Sequence, residues 1–214
     1  MFDNPTNFSQ VVGAKDAQLS AGSDDVAQVY RLAGETQRQL DGLLSDVANR
    51  LGIDFEAAGQ KSMQSMADKV NRKSKAGIPY SIYDMKDHAR GKLELSSFEQ
   101  IPEVLRLLDE KNIPWSAEAV GPTEWGYRGF HVTFRDGNGL SSEIQLTRPD
   151  VWKVKLESDK IYEKWRNVDT ASLTTIGRLS MRKDVKRSIA MWNQLDLPDF
   201  STYIRNSSSE STRA

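Results

Sequence analysis

The 214-residue chain predicts an α+β fold with a mixed, mainly antiparallel sheet flanked by helices. Three observations carry this. Apolar residues recur at three- and four-residue steps over 24–51, and a further helix is read over about 176–195. Short apolar or alternating runs lie between them, over 90–95, 115–120, 129–135 and 140–147. Asp136-Gly137-Asn138-Gly139 joins the last two runs as a hairpin. Strands grouped in the middle with helices outside the run are the pattern of an α+β domain.

Residues 1–23 are rich in Ser, Asn, Gln and Gly and read as a flexible arm. Val26, Val29, Tyr30, Ala33, Leu40, Leu44, Val47 and Leu51 then mark an amphipathic helix, capped by Asp24 or Asp25 and ended by Gly52. A second helix is expected from Asp54 to Lys73, with Asp54 as its cap and Gly77-Ile78-Pro79 as its break. Residues 24–58 are thus set apart as an N-terminal helical segment, before a domain over 59–200. Ser96 or Ser97 caps a helix with Phe98, Ile101, Leu105 and Leu108 on one face, ending near Asn112. Pro149 or Asp150 opens another that runs through Trp165, and residues 201–214 form a polar tail.

Composition removes several functional classes. With 29 basic against 30 acidic side chains the formal net charge is −1, so binding to nucleic acid through bulk charge is disfavoured. There is no cysteine, which excludes disulfides, thiol catalysis and Cys-ligated zinc. Two histidines, His88 and His131, are too few for a His-rich metal centre. No apolar run approaches membrane-spanning length, so no membrane is expected as a partner, and the first residues are polar and acidic, unlike a signal segment. Charge is nevertheless uneven. Residues 1–60 carry 4 basic and 9 acidic groups, residues 61–95 carry 8 and 4, and residues 148–187 carry 11 and 6. Two basic blocks distant in sequence can converge on an anion or remain solvated helix faces.

The hairpin register follows from its side chains. Phe130, Val132 and Phe134 alternate with His131 and Thr133, and Ile144 and Leu146 alternate with Glu143 and Gln145. Both apolar sets share the core face only if opposed residue numbers sum to an even value. A three-residue loop, Gly137–Gly139, meets that condition, with Gly139 in the left-handed position. Thr133 then opposes Glu143, and His131 opposes Gln145. One polar ledge therefore carries a carboxylate, an amide and an imidazole, with Tyr127 and Arg128 at one end. That set suits a nucleotide with its metal.

Trp125-Gly126-Tyr127-Arg128-Gly129-Phe130-His131, followed by Glu143-Ile144-Gln145, resembles the RelA/SpoT-type alarmone synthetases, whose signature is Gly-Tyr-Arg-x-x-His and then Glu-Ile-Gln. Lys61, Ser65 and Lys69 are similar to that family's Lys-x3-Ser-x3-Lys helix. Asp87, with Arg90 and Lys92 behind it, is similar to its metal-binding Asp and basic strand. The four elements fall in the family's order over about residues 59–166.

The resemblance implies a nucleotidyltransferase-like synthetase fold and an ATP-dependent pyrophosphokinase. Such an enzyme moves the β,γ-pyrophosphate of ATP to the 3′-hydroxyl of a purine nucleotide, giving (p)ppGpp or (p)ppApp. On that reading Lys61, Ser65, Lys69, Arg90 and Lys92 bind ATP. Asp87 and Glu143 hold magnesium (Mg2+) and are the catalytic pair, with Glu143 also taking the acceptor's proton. Tyr127, Arg128, His131 and Gln145 bind the acceptor. Asp84, three residues earlier, competes with Asp87 as the metal ligand.

Two departures bear on specificity. Gly59 stands where the family carries an adenine-stacking Arg. Pro122-Thr123-Glu124-Trp125-Gly126-Tyr127 lacks the Lys and Asn of the family's Pro-Lys-x-Asn-Gly-Tyr loop. The acceptor is therefore left open among adenosine nucleotides, guanosine nucleotides and the 3′ end of tRNA. No His-Asp dipeptide of the family's hydrolase half is present. The expectation is a growth-inhibiting toxin acting in a bacterial cytoplasm, delivered there as a secreted effector in one version and countered by an antitoxin or immunity protein. The alternatives are a small housekeeping (p)ppGpp synthetase and a non-catalytic nucleotide-binding module.

Overall fold

The computed structural model describes residues 23–75 and 77–204. The expected arm, apart from Ser23, and the expected tail beyond residue 204 lie outside them, as do the side chains of Asp24 and Asp25. Helix α1 (Ser23–Leu51) buries Val29, Ala33, Leu40, Leu44 and Val47 along one stripe and ends where Gly52 follows it. Its apolar periodicity is thus a buried face and not a solvated one.

The helix expected over 54–73 is not a single helix. Asp54–Ala57 is a strand, β1, and helix α2 begins only at Met63 and runs to Lys75. Phe55 lies opposite Leu93 and Glu56 opposite Lys92, so tertiary pairing captures a segment whose Ala-Ala-Gly-Gln continuation reads as helical. The strand is short, lies at the sheet edge and is exposed throughout, so it carries little apolar signal. One consequence reaches the site: Lys61 precedes α2 and does not share its face with Ser65 and Lys69.

The remaining elements fall close to their expected places. They are β2 (Ala89–Glu94), α3 (Ile101–Glu110), β3 (Trp115–Val120), β4 (Gly129–Arg135), β5 (Ser141–Thr147), α4 (Pro149–Trp165) and α5 (Thr175–Asn193). Ser97 starts the third helical segment as a cap, accepting from the Glu99 amide at 3.2 Å, and a 3-10 turn over Phe98–Gln100 leads into α3. The sheet order is β1-β2-β5-β4-β3, with β2 and β5 parallel and every other neighbour antiparallel.

The hairpin adopts the expected register: Thr133 opposes Glu143 and His131 opposes Gln145. The Asp136 amide bonds the Leu140 carbonyl at 2.9 Å, leaving Gly137–Gly139 as the loop, and Gly139 has φ 76°. Asp136 is buried and accepts from the amides of Asn138 and Leu140 and from the Thr36 hydroxyl, which fastens the loop to α1.

This register gives the sheet two unlike faces. Leu93, Phe130, Val132, Ile144 and Leu146 join Leu40 and Leu44 of α1 and Leu105 of α3 in one core. A smaller cluster of Val29, Ala33, Met66, Ile82 and Met85 seats α2 and the segment before β2 on α1. The turn Phe200–Tyr203 also reaches the main core, with the Phe200 ring edge-on to Phe98 at 5.0 Å. The other sheet face carries the polar residues, and it builds the site.

Candidate active site

Parallel pairing sets Arg90 beside Glu143 and Lys92 beside Gln145, and antiparallel pairing adds His131 and Thr133 to the same face. Glu143 is the centre of this ledge. Its carboxylate accepts from the Gln145 amide at 2.8 Å and lies 3.5 Å from Nδ1 of His131. On the far side of the imidazole, Nε2 meets the Tyr127 hydroxyl at 2.5 Å. Burial pushes the Tyr127 phenol up, and the charges of Glu143 and Asp159 add to it. The phenol therefore keeps its proton, and the imidazole is held between the Tyr127 hydroxyl at Nε2 and the Glu143 carboxylate at Nδ1. Burial alone would raise the Glu143 carboxyl; the hydrogen bond and charge of His131 and the Gln145 amide outweigh it, and the net shift is downward. Glu143 rests ionised.

Asp87, just before β2, supplies a second carboxylate. Lys61 Nζ contacts one oxygen at 2.5 Å and Lys69 Nζ the other at 2.6 Å. Burial works against ionisation here too, but Lys69 and Lys61 overcome it and lower the carboxyl to about 2. Lys61 does not gain in the same way: burial is its largest influence and lowers its ammonium pKa despite Asp87. The cluster is therefore worth less than the Asp87 shift alone implies. Asp84 is elsewhere, exposed and hydrogen-bonded to the Ser81 amide and hydroxyl at 2.6 and 2.7 Å. The structure thus separates the two aspartates, and the charge of Asp87 is the one that acts on Glu143.

A stability prediction follows. The folded-state pKa of Asp87 lies below its ordinary value of 3.8. Its contribution is therefore complete above pH about 4 and is lost as pH falls toward about 2. A shift of this size corresponds to about 2 kcal/mol as an upper value. Urea unfolding between pH 5 and 2.5 should show this loss in the wild type and not in Asp87→Asn. Identical acid limbs in the two proteins would contradict the assignment.

The other expected residues are placed as follows. Lys92 is buried, bonded to Glu94 at 2.7 Å and 3.3 Å from Glu56, with its ammonium 4.5 Å from the centre of the Trp152 ring. Arg90 has a buried Nε with no partner among the described residues. Ser65 is half-buried on α2 and makes no side-chain hydrogen bond among the described residues; its amide donates to the Ser62 hydroxyl at 3.2 Å. Arg128 borders a water-sized gap behind Tyr127. Tyr127 itself packs edge-on against Trp192 at 5.1 Å.

Two open clefts flank the ledge. The outer one, about 370 Å³, lies between Tyr127, His131 and Gln145 on one side and the Glu124–Trp125 loop and α4 on the other. The inner one, about 90 Å³, is bordered by Glu56, Arg90, Lys92, Gln145 and Trp152. Helix α4 supplies Trp152, Lys155, Asp159 and Tyr162 to these clefts, none of which the motif reading singled out. Their spacing of three, four and three residues on a helix that directly follows β5 was the available signal.

No family model and no curated protein matches the sequence. Solved structures do match. The Type VI effector Tas1, in complex with its immunity protein, is 18% identical with a TM-score of 0.57, over 81% of this chain and 97% of that one. The small alarmone synthetase 2 of Bacillus subtilis is 17% identical with a TM-score of 0.51, over 79% and 95%. The small alarmone synthetase 1 of Bacillus subtilis is 19% identical with a TM-score of 0.50, over 80% and 92%. The chain has the fold of the RelA/SpoT-like small alarmone synthetases.

Proposed function

We infer that the protein is a magnesium-dependent pyrophosphokinase that uses ATP and a purine nucleotide acceptor. The observation that carries this reading is the convergence of Asp87 and Glu143, two ionised and largely buried carboxylates, beside Lys61, Lys69 and Arg90. Such a set has no structural need for its charge and is suited to a polyanion with a divalent cation. Asp87 and Glu143 fit magnesium in chemistry: both offer carboxylate oxygens, and each lies within the other's electrostatic reach. Among the described residues no group of three or more potential ligands gathers, so phosphate and water oxygens would complete the shell. When bound, the metal would neutralise phosphate charge.

On this reading Lys61 and Lys69 exchange Asp87 for the phosphates of ATP. The acceptor nucleotide takes the outer cleft, and Glu143 accepts the hydrogen bond of its 3′-hydroxyl. A bond forms from that oxygen to the β-phosphorus, the bond from the β-phosphorus to the α,β-bridging oxygen breaks, and AMP leaves. Glu143 takes the hydroxyl proton as that bond forms, and its lowered proton affinity lets it pass the proton on to water. His131, held between Tyr127 and Glu143, fixes the direction of the carboxylate.

The test is incubation with ATP, magnesium and each of AMP, ADP, GDP, GTP and tRNA, with AMP release and the product measured. A 3′-pyrophosphorylated nucleotide is expected, and the absence of AMP release with every acceptor would defeat the reading. We further propose that the activity arrests growth. Induction in a bacterial cytoplasm should stop growth and lower ATP, whereas normal growth with only raised guanosine tetraphosphate would leave a synthetase and remove the toxin. The resemblance to Tas1 supports this through the fold alone.

Gly129 gives a further prediction. A Cβ there would stand 2.4 Å from the Tyr127 hydroxyl and 3.4 Å from His131 Nε2. Gly129→Ala should push the phenol off the imidazole, and the half-buried Tyr127 side chain can yield into the outer cleft that it borders. Turnover should fall by about 10-fold, the value of one hydrogen bond at the upper end of its range. Thermal unfolding should move little. A large drop in melting temperature with turnover intact would contradict this.

A further inference from the structure

Lys155 and Gln145 are the two side chains that border the outer cleft, the inner cleft and the water-sized gap between them. Lys155 is drawn inward, with its side chain 19% exposed. Its ammonium lies 5.0 Å from the centre of the Trp152 ring and contacts Asp159 at 2.5 Å. Asp159, one turn further along α4, faces the outer cleft and is 46% exposed. At the same junction the Gln145 Oε1 is buried with no partner among the described residues, and the buried Arg90 Nε at the inner cleft is likewise unpartnered. Buried polar groups without partners are costly, so these atoms mark a place where a polar ligand belongs.

Helix stabilisation does not account for the Lys155–Asp159 pair. An i,i+4 pair favours the acidic residue on the N-terminal side, and here the order is reversed. An exposed pair of this kind contributes a few tenths of a kcal/mol and would not require the lysine to turn into a junction between two cavities. The carboxylate of Asp159 instead occupies the position of an anion beside a cation and an aromatic face.

We propose that Lys155 is a phosphate-binding cation at the junction of the two clefts, with Asp159 as its resting placeholder. A bound nucleotide displaces Asp159, and Lys155 takes a phosphate oxygen, while the neighbouring Gln145 Oε1 accepts a ligand hydroxyl or amine. This rests on the nucleotide reading of the site. The phosphate belongs either to the ATP donor or to the acceptor, because the junction touches both clefts.

Calorimetric titration of the full chain in magnesium buffer separates these sources. The probes are α,β-methylene-ATP, the monophosphates AMP and GMP, and the phosphate-free nucleosides adenosine and guanosine. Lys155→Met should weaken a phosphate-bearing probe by at least about 10-fold, as expected for a lost charge-assisted bond, and leave the nucleosides unchanged. Asp159→Asn, which removes the competing carboxylate, should tighten the same probe, and Lys155→Arg should restore most of the affinity. Loss confined to the methylene analogue identifies the donor phosphate, and loss confined to the monophosphates identifies the acceptor phosphate. Unchanged affinity for every probe in both Lys155→Met and Asp159→Asn would overturn the proposal and reduce the pair to a helix contact. An equal loss for nucleosides and nucleotides in Lys155→Met would overturn it as well. A wild type that binds no nucleotide would overturn the nucleotide reading itself, a result distinct from either.

Discussion

Glu143→Gln should lower pyrophosphoryl transfer by at least about 100-fold, the low end of what a positioned proton acceptor supplies, with little change in folding. The substitution keeps shape and removes charge. Glu143 lies on the polar face of β5, where its neighbours are His131, Gln145 and Arg90, and no apolar packing depends on it. The Asp87 charge now opposes the ionised Glu143, so neutralising Glu143 relieves a repulsion while it weakens the contact with His131. These effects are opposite in sign, and the net change in stability should stay within about 1 kcal/mol. The checks are steady-state turnover and urea unfolding on the same preparation. Activity within a few-fold of wild type would remove Glu143 from the chemistry. A loss of about 3 kcal/mol, the size of a core truncation, would mean that the residue supports the fold.

Replacing both Lys61 and Lys69 by Met should have the largest effect on stability at the site. Both cations of Asp87 are then gone, and a carboxylate whose side chain is only 13% exposed stands near Glu143 without compensation. Removing the partner of a buried charge typically costs about 3–5 kcal/mol, and the residual exposure of Asp87 places this case at about 3. The sign of the pH dependence should also invert. With the lysines present the folded state holds Asp87 below its ordinary pKa, and acid destabilises. Without them, burial and Glu143 hold it above that value, so the folded state binds the proton more tightly and acid stabilises through this group. Between pH 7 and pH 4.5 this group should therefore leave the wild type nearly unchanged and stabilise the double variant. Parallel pH profiles would show that the lysines do not control Asp87. Lys61→Ala alone leaves Lys69 in place, and it should act mainly as a raised KM for ATP.

The sequence by itself determined the hairpin and what stands on it. Strict alternation of Phe130, Val132 and Phe134 with His131 and Thr133 allowed one register against Ile144 and Leu146, because a slip by one residue moves a whole apolar set into water. Gly139 confirmed that register through the backbone conformation its loop requires. Pro149, as a helix-opening residue, located the start of α4 for the same kind of local reason. Local pattern failed where identity is set by a distant partner. β1 is four exposed residues at a sheet edge; it is a strand because Leu93 and Lys92 lie beside it, which no window over 54–73 contains. The choice between Asp84 and Asp87 needed the position of two lysines, and one of them, Lys61, reaches the carboxylate from outside the helix on which its spacing had placed it. Trp152 and Lys155 face the clefts because α4 meets the polar face at Lys92 and Gln145. Short-range steric and hydrophobic preferences are written in consecutive residues, whereas charge compensation and cleft formation depend on distances between elements, and only the packed structure sets those.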